Sequence, residues 1–174
     1  MYSGSIKYQG ICGACYAFSS VDTVAALNAI NTFGFFVPLS VQQIIDCVDN
    51  GLTYGCSGGF LEGAFTYIQM KGITTDYSYP YASSDNGIAG KCQIDGGPFK
   101  VSSFDPLTEG DCQSVLTELE KGPVSVGISG YQLQFYDSGI FSDCTNVLDH
   151  AVVVVGYKSG VGWKIKNSWG VDWG

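Results

Sequence analysis

The chain has 174 residues, of which 45% are apolar and only 14% charged. That is enough for one domain or two small lobes sharing a core boundary, and the charged fraction lies well below the roughly 25% of an average globular protein, so no disordered tail is expected. Eight Lys and Arg against sixteen Asp and Glu give a net charge of −8, which excludes nucleic-acid binding by a basic patch.

In chain order, the first half reads as helices joined by Gly-rich loops. Phe18, Val21, Val24 and Ala25 space an apolar face along a helix from Cys15 to about Ile30. A second helix opens at Leu39, with Ser40 as its cap and Gln43 completing a capping box. Leu61, Ala64, Phe65 and Ile68 mark a third, stopped by Gly72. Residues 76–103 show no sustained period and read as a loop. A lobe boundary near Ser102 divides the chain into a mainly helical lobe, 1–102, and a strand-rich lobe, 103–174. The second lobe starts with a short helix from about Gly110 to Lys121, ended by Gly122-Pro123. Strands follow at Pro123–Ile128, Gly139–Phe141, Ala151–Gly156 and Gly162–Lys166. Helices first and strands second predict an α+β protein. No apolar run approaches the roughly 20 residues of a membrane span, and the first residues carry no signal pattern.

Seven cysteines stand at 12, 15, 47, 56, 92, 112 and 144. Their number points to an oxidising compartment, and seven is odd, so at least one thiol is left over in a monomer. A left-over thiol is either reactive, or buried and inert, or paired outside this chain.

Gln9-Gly10-Ile11-Cys12-Gly13-Ala14-Cys15-Tyr16-Ala17-Phe18 runs from a loop into a helix, with Cys15 in the first turn. The positive end of the helix dipole favours a thiolate there. Cys12-x-x-Cys15 also reads as a dithiol redox motif, but such a motif normally follows a strand, and only eleven residues precede it. A zinc site needs a second close pair of Cys or His ligands, which the sequence lacks. The third reading is a thiol nucleophile, for which the chain's single histidine, His150, is the one possible imidazolium partner.

The Cys15 segment resembles the active-site signature of the papain-like cysteine peptidases, the lysosomal cathepsins among them. That family places its His and Asn about 130–150 residues downstream. Here His150 follows Cys15 by 135 residues (150 − 15) and Asn167 by 152 (167 − 15). Leu148-Asp149-His150-Ala151-Val152, Ile165-Lys166-Asn167-Ser168-Trp169-Gly170 and Gly55-Cys56-Ser57-Gly58-Gly59 resemble the family's histidine, asparagine and substrate-groove segments. The resemblance runs over essentially the whole chain.

It implies a two-lobe fold, a helical lobe against an antiparallel β-barrel lobe, with the active-site cleft between them. It implies Cys15 as nucleophile, His150 as its acid–base partner, Asn167 orienting the ring, Trp169 shielding that contact, and Gln9 with the Cys15 N–H as oxyanion donors. Asp149 modulates. Tyr16 stands where the family more often has Trp, and either supplies an aromatic shelf. Gly58 and Gly59 leave backbone free for an extended substrate. Phe60, Leu61, Gly127 and Leu148 would line the specificity pocket, an apolar one made wide by Gly127. The family's pairing implies disulfides Cys12–Cys56 and Cys47–Cys92; Cys112–Cys144 is then expected, leaving Cys15 alone free. No cofactor and no metal are implied. The implied partners are protein or peptide substrates, an inhibitory pro-segment and cystatin-like inhibitors, with the enzyme a monomer in a lysosomal or secreted setting.

Against the family, both ends look short: its mature domain usually begins several residues before Gln9, on the β lobe, and continues past Trp173-Gly174 with further strands, and no inhibitory pro-segment stands in the sequence. No stretch between Tyr81 and Cys92 has room for a His-bearing occluding loop, which favours endopeptidase action. The rival reading is a catalytically silent homologue acting as an interaction module. It predicts loss of Cys15, His150, Asn167 or Gln9, and all four are present.

Overall fold

The computed structural model describes residues 4–32 and 34–174; residues 1–3 of the expected helical lobe lie outside this set. Four helices precede three strands: α1 (Cys15–Asn31), α2 (Val41–Cys47), α3 (Leu61–Met70), α4 (Cys112–Leu119), β1 (Val124–Ile128), β2 (His150–Lys158) and β3 (Gly162–Lys166). The class is α+β.

α1 is the central element. Every residue from Tyr16 to Ala26 is buried, so the helix is enclosed all round and not laid down on a single stripe. One side joins Leu39, Ile44, Ile68 and Ile73 in the main apolar core. Its polar residues meet the sheet: Ser19 Oγ donates to Val152 O at 2.8 Å, Ser125 Oγ donates to Ser19 O at 3.1 Å, and Thr23 Oγ1 bonds Ser125 Oγ at 2.8 Å. Buried hydroxyls are tolerated because each finds a partner. Asp22 binds both Lys7, at 2.7 Å, and Lys166, tying α1 to the N-terminal segment and to the end of β3.

α2 is capped as expected, with Ser40 Oγ accepting from Gln43 N at 3.0 Å. The other half of the capping box is not made. The buried Gln43 side chain donates instead to Tyr67 Oη and Gly96 O and accepts from Thr74 N. It therefore ties α2 to α3 and the loop, which a reciprocal cap would not do. α3 ends before Gly72, whose φ of +81° and approach to Gly97 leave no room for a Cβ. Residues 76–103 are largely irregular and are pinned to the helices through Asp46, which accepts from Tyr79 Oη at 2.7 Å and from Gly90 N at 2.6 Å.

The strands form one antiparallel sheet in the order β1-β2-β3, with Ile128 opposite His150 and Val153 opposite Lys166. Among the described residues the sheet is open, not the closed barrel expected. The strand predicted at Gly139–Phe141 is irregular: Gly139 sits at φ +81° between the polar pairs Asp137-Ser138 and Ser142-Asp143, without the alternation a ladder needs.

Disulfides close Cys12 to Cys56 and Cys47 to Cys92. The expected Cys112–Cys144 bridge is absent, and both thiols are free and exposed. Cys112 is held in the first turn of α4, behind its Asp111 cap, while Cys144 lies in the irregular segment before β2, and no burial draws the two together. Cys15 is thus one of three free thiols.

Candidate active site

Cys15 opens α1. The loop before it is tightly anchored: Gly13 N donates to Cys56 O at 2.9 Å beside the Cys12–Cys56 bridge, and Ala14 is the N-cap without a side-chain cap. Because Cys12 is committed to Cys56, it is available neither as a redox partner for Cys15 nor as a zinc ligand. The Cys15 thiol lies against the backbone N–H of Ala151, the residue after His150, and against the N–H groups of Tyr16 and of Cys15 itself. Burial pushes the thiol above its ordinary value; those three donors pull it back, and the Asp149 charge adds a smaller upward push.

His150 begins β2 and is buried. Its Nε2 lies 2.8 Å from Asn167 Oδ1. The same oxygen accepts the Ser168 backbone N–H at 2.8 Å. A backbone amide only donates, so this atom is the amide oxygen, and Nε2 must carry the proton. Nδ1 is then the lone-pair nitrogen of the neutral ring. Trp169 stacks on the ring with centroids 4.5 Å apart and planes at 26°, covering the His150–Asn167 contact. Burial pushes the imidazole below its ordinary value, opposed by the Asn167 hydrogen bond and the Asp149 charge.

Taken singly, burial favours a neutral thiol and a neutral ring. A thiolate–imidazolium state therefore depends on each charge stabilising the other.

Gln9 is buried, its Nε2 donating to Cys12 O at 2.9 Å and its Oε1 accepting from Ser168 Oγ at 2.7 Å. Its backbone N–H donates to Ser168 O at 2.8 Å and its carbonyl accepts from Tyr81 Oη at 2.6 Å. The side-chain amide is thus immobilised between the nucleophile loop and the asparagine segment. One of its two N–H groups serves Cys12, and an amide nitrogen has a second.

Two positions not singled out from the sequence complete the site. Ser168 links Gln9 to Asn167. Gly130 donates its N–H to Asp149 Oδ1 at 2.6 Å, and a Cβ there would stand 2.4 Å from His150 Cβ. Neither carries a local sequence signal, because both requirements arise from packing across the chain.

The groove segment follows a turn at Gly55–Ser57. Thr53 and Gly59 form an antiparallel bridge flanked by Tyr54 N to Gly58 O and Phe60 N to Leu52 O. That pattern makes Thr53 and Gly59 a non-hydrogen-bonded pair, so the N–H and C=O of Gly59 turn away from Thr53. Gly58 has φ +104°. Phe60 and Leu148 are exposed, and a Cβ on Gly127 would reach Leu148 at ordinary contact distance, 3.8 Å. Leu61 opens α3 and packs on the main core. A cavity of about 680 Å³, lined by Tyr8, Phe135, Tyr136 and Trp173, shares Trp169 with this site; Cys15 and His150 do not line it.

Known proteins resemble the chain over nearly its whole length. The description "Papain family cysteine protease" matches residues 2–174. The chain is 39% identical over 176 residues to thiol protease SEN102 of Hemerocallis, covering 97% of this chain and 48% of that protein. It is 41% identical over 179 residues to the oryzain beta chain of Oryza sativa subsp. japonica, covering 97% and 37%. It thus spans half or less of the length of these curated relatives. Among solved structures, digestive procathepsin L 3 of the Tenebrio molitor larval midgut superposes with a TM-score of 0.89 at 35% identity, covering 99% of this chain and 58% of that one. A Carica candamarcensis cysteine protease in complex with E-64 gives 0.87 at 34%, covering 99% and 80%. On sequence and fold together, the chain belongs to the papain family of cysteine proteases.

Proposed function

We propose that the chain is the catalytic core of a cysteine endopeptidase. The observation that carries this reading is the protonation state that Asn167 imposes on His150. With Nε2–H committed to Asn167, Nδ1 is the ring atom left to take the Cys15 proton. The thiolate then attacks the substrate carbonyl carbon, and the oxyanion is met by the Cys15 N–H and the second N–H of Gln9. His150 returns the proton to the leaving nitrogen as the C–N bond breaks, giving a thioester and a free amine. The neutral ring next deprotonates water, hydroxide attacks the thioester, and the thiol is regenerated with release of the acid.

Gly59 offers its outward N–H and C=O to an extended substrate as an added strand. Phe60, Leu148 and the open position at Gly127 favour an apolar side chain next to the scissile residue. The two disulfides fit an oxidising compartment, lysosomal or secreted. Among the described residues no helix is long and apolar enough to cross a membrane. The neighbouring procathepsin structure is a proform and the Carica protease holds E-64; the corresponding partners here are a pro-segment, cystatin-like inhibitors and flexible protein substrates, bound by a monomer.

The test is the unreduced intact mass of the full chain before and after a peptidyl epoxide, with the adduct mapped. One adduct on Cys15 is expected, with none on the exposed Cys112 or Cys144, and His150→Ala should abolish it. At pH 6 a lone thiol of ordinary or raised pKa holds a thiolate fraction on the order of 10⁻³, so the loss should exceed a hundredfold. A folded chain whose Cys15 takes up no epoxide, yet alkylates once denatured, would establish the silent homologue instead.

A further inference from the structure

Tyr16 is fully enclosed, with 1% of its surface exposed, and the reaction described above does not use it. Its hydroxyl donates to Gly55 O at 3.0 Å, across 39 residues of sequence. Its ring lies under Gly59: a Cβ there would stand 3.1 Å from both Cδ2 and Cε2 of Tyr16. Burial, followed by the charges of Cys15 and Asp46, pushes its hydroxyl well above the ordinary tyrosine value, so it stays a donor at any working pH.

These contacts place one side chain between two functional parts. Tyr16 follows Cys15 on α1, so its backbone moves with the nucleophile. Its ring and hydroxyl meet the segment whose Gly59 edge faces outward. The Cys12–Cys56 bridge and the Gly13–Cys56 hydrogen bond hold the centre of the same segment from the loop before α1. Gly55 and Gly59 lie on either side of Cys56, and Tyr16 reaches both.

We propose that Tyr16 is a positioning residue for substrate binding: it fixes the Gly58–Gly59 backbone edge at a set height and angle to the Cys15 thiol. The proposal rests on the peptidase reading of the site and names what aligns a bound chain with the nucleophile. Losing the hydroxyl leaves the ring as a floor but frees the Gly55 end of the segment. Reagents that need the groove should therefore suffer, and those that need only the thiolate should not.

The experiment compares two reagents on the full chain, both followed by mass on the Cys15 peptide. Iodoacetamide reports the thiolate; a peptidyl epoxide reports the thiolate and the groove. For Tyr16→Phe, the epoxide rate should fall about fivefold, the size of one neutral hydrogen bond. KM for an extended peptide should rise to match, while kcat, the iodoacetamide rate and its pH profile stay within about twofold. Tyr16→Trp, which restores a donor in the form of an indole N–H, should recover the epoxide rate. Equal losses for both reagents, or no loss for either, overturn the proposal. If Tyr16→Phe does not fold, the epoxide-to-iodoacetamide ratio of Tyr16→Trp decides: a ratio like that of the unsubstituted chain supports the proposal, and a reduced one overturns it. Failure of the peptidase reading has a different signature, an unsubstituted chain whose Cys15 reacts with iodoacetamide at pH 6 no faster than Cys112.

Discussion

Asp149 acts on both members of the candidate pair with one charge. It raises the Cys15 thiol and the His150 ring alike. It also accepts the Gly130 N–H, a contact an asparagine Oδ1 can keep. Asp149→Asn therefore removes charge with little change of shape. With the carboxylate gone, the thiolate forms at lower pH and the imidazolium loses its proton at lower pH. Both limbs of the pH profile of kcat/KM are expected to move in the acid direction, with the maximum within about tenfold of the unsubstituted value. A profile whose alkaline limb stays fixed would mean that Asp149 does not face the ring. At this scale the sequence was most legible where chemistry confines residue type: Cys15, His150, Asn167 and Gln9 stand in spaced motifs. Gly130 and Ser168 were not legible, since the first is required by the His150 Cβ twenty residues later and the second by a bond to Gln9 that only the folded chain makes.

α1 joins the helical core to the sheet, and the charges it buries are part of that junction. Asp22 has a side-chain exposure of 8% and Lys166 of 5%; the third member, Lys7, is at 19%. A carboxylate shared by two ammonium groups gains less than its Coulomb attraction because all three are largely dehydrated, but removing it leaves two cations side by side. Asp22→Ala is expected to lower stability by about 3–5 kcal/mol, which is roughly 6–20 °C in Tm for a chain of this size. A shift under about 3 °C on calorimetry would mean that water or other groups solvate the lysines after all. Because Lys166 immediately precedes Asn167, the variant should also lose rate beyond its loss of folded fraction. The helices were readable from apolar spacing and end signals, as at Ser40 and Gly72. The buried polar side of α1 was not, because Ser19, Asp22 and Thr23 look like a solvent face until β1, β2 and Lys166 supply their partners. Likewise Gln43 fits the capping pattern, yet longer-range partners claim its side chain.

Over the whole molecule, covalent reinforcement is uneven. Both disulfides lie among residues 12–92, while the sheet of β1, β2 and β3 has open edges and the two exposed thiols Cys112 and Cys144 lie beside it in sequence. If helical part and sheet were separate folding units, removing a bridge would weaken the first and spare the second. The packing argues otherwise: α1 is buried from both sides, and β2 closes on it through Ser19. The Cys12–Cys56 bridge spans 44 residues, and a loop of that length corresponds to about 4 kcal/mol of chain entropy in the unfolded state. Cys12 and Cys56 must be replaced together, since a single replacement would leave a thiol able to capture Cys15. Cys12→Ser with Cys56→Ser is expected to lower Tm by roughly 8–16 °C in one transition, with amide protection in β2 lost at the same temperature as protection in α3. Two resolved transitions, with β2 unfolding at its original temperature, would show that the sheet stands without α1 and that the candidate pair Cys15–His150 bridges two independently stable units. A single transition would make the alignment of thiol and imidazole part of the cooperative fold, so that a disulfide outside the reacting groups governs whether they face each other.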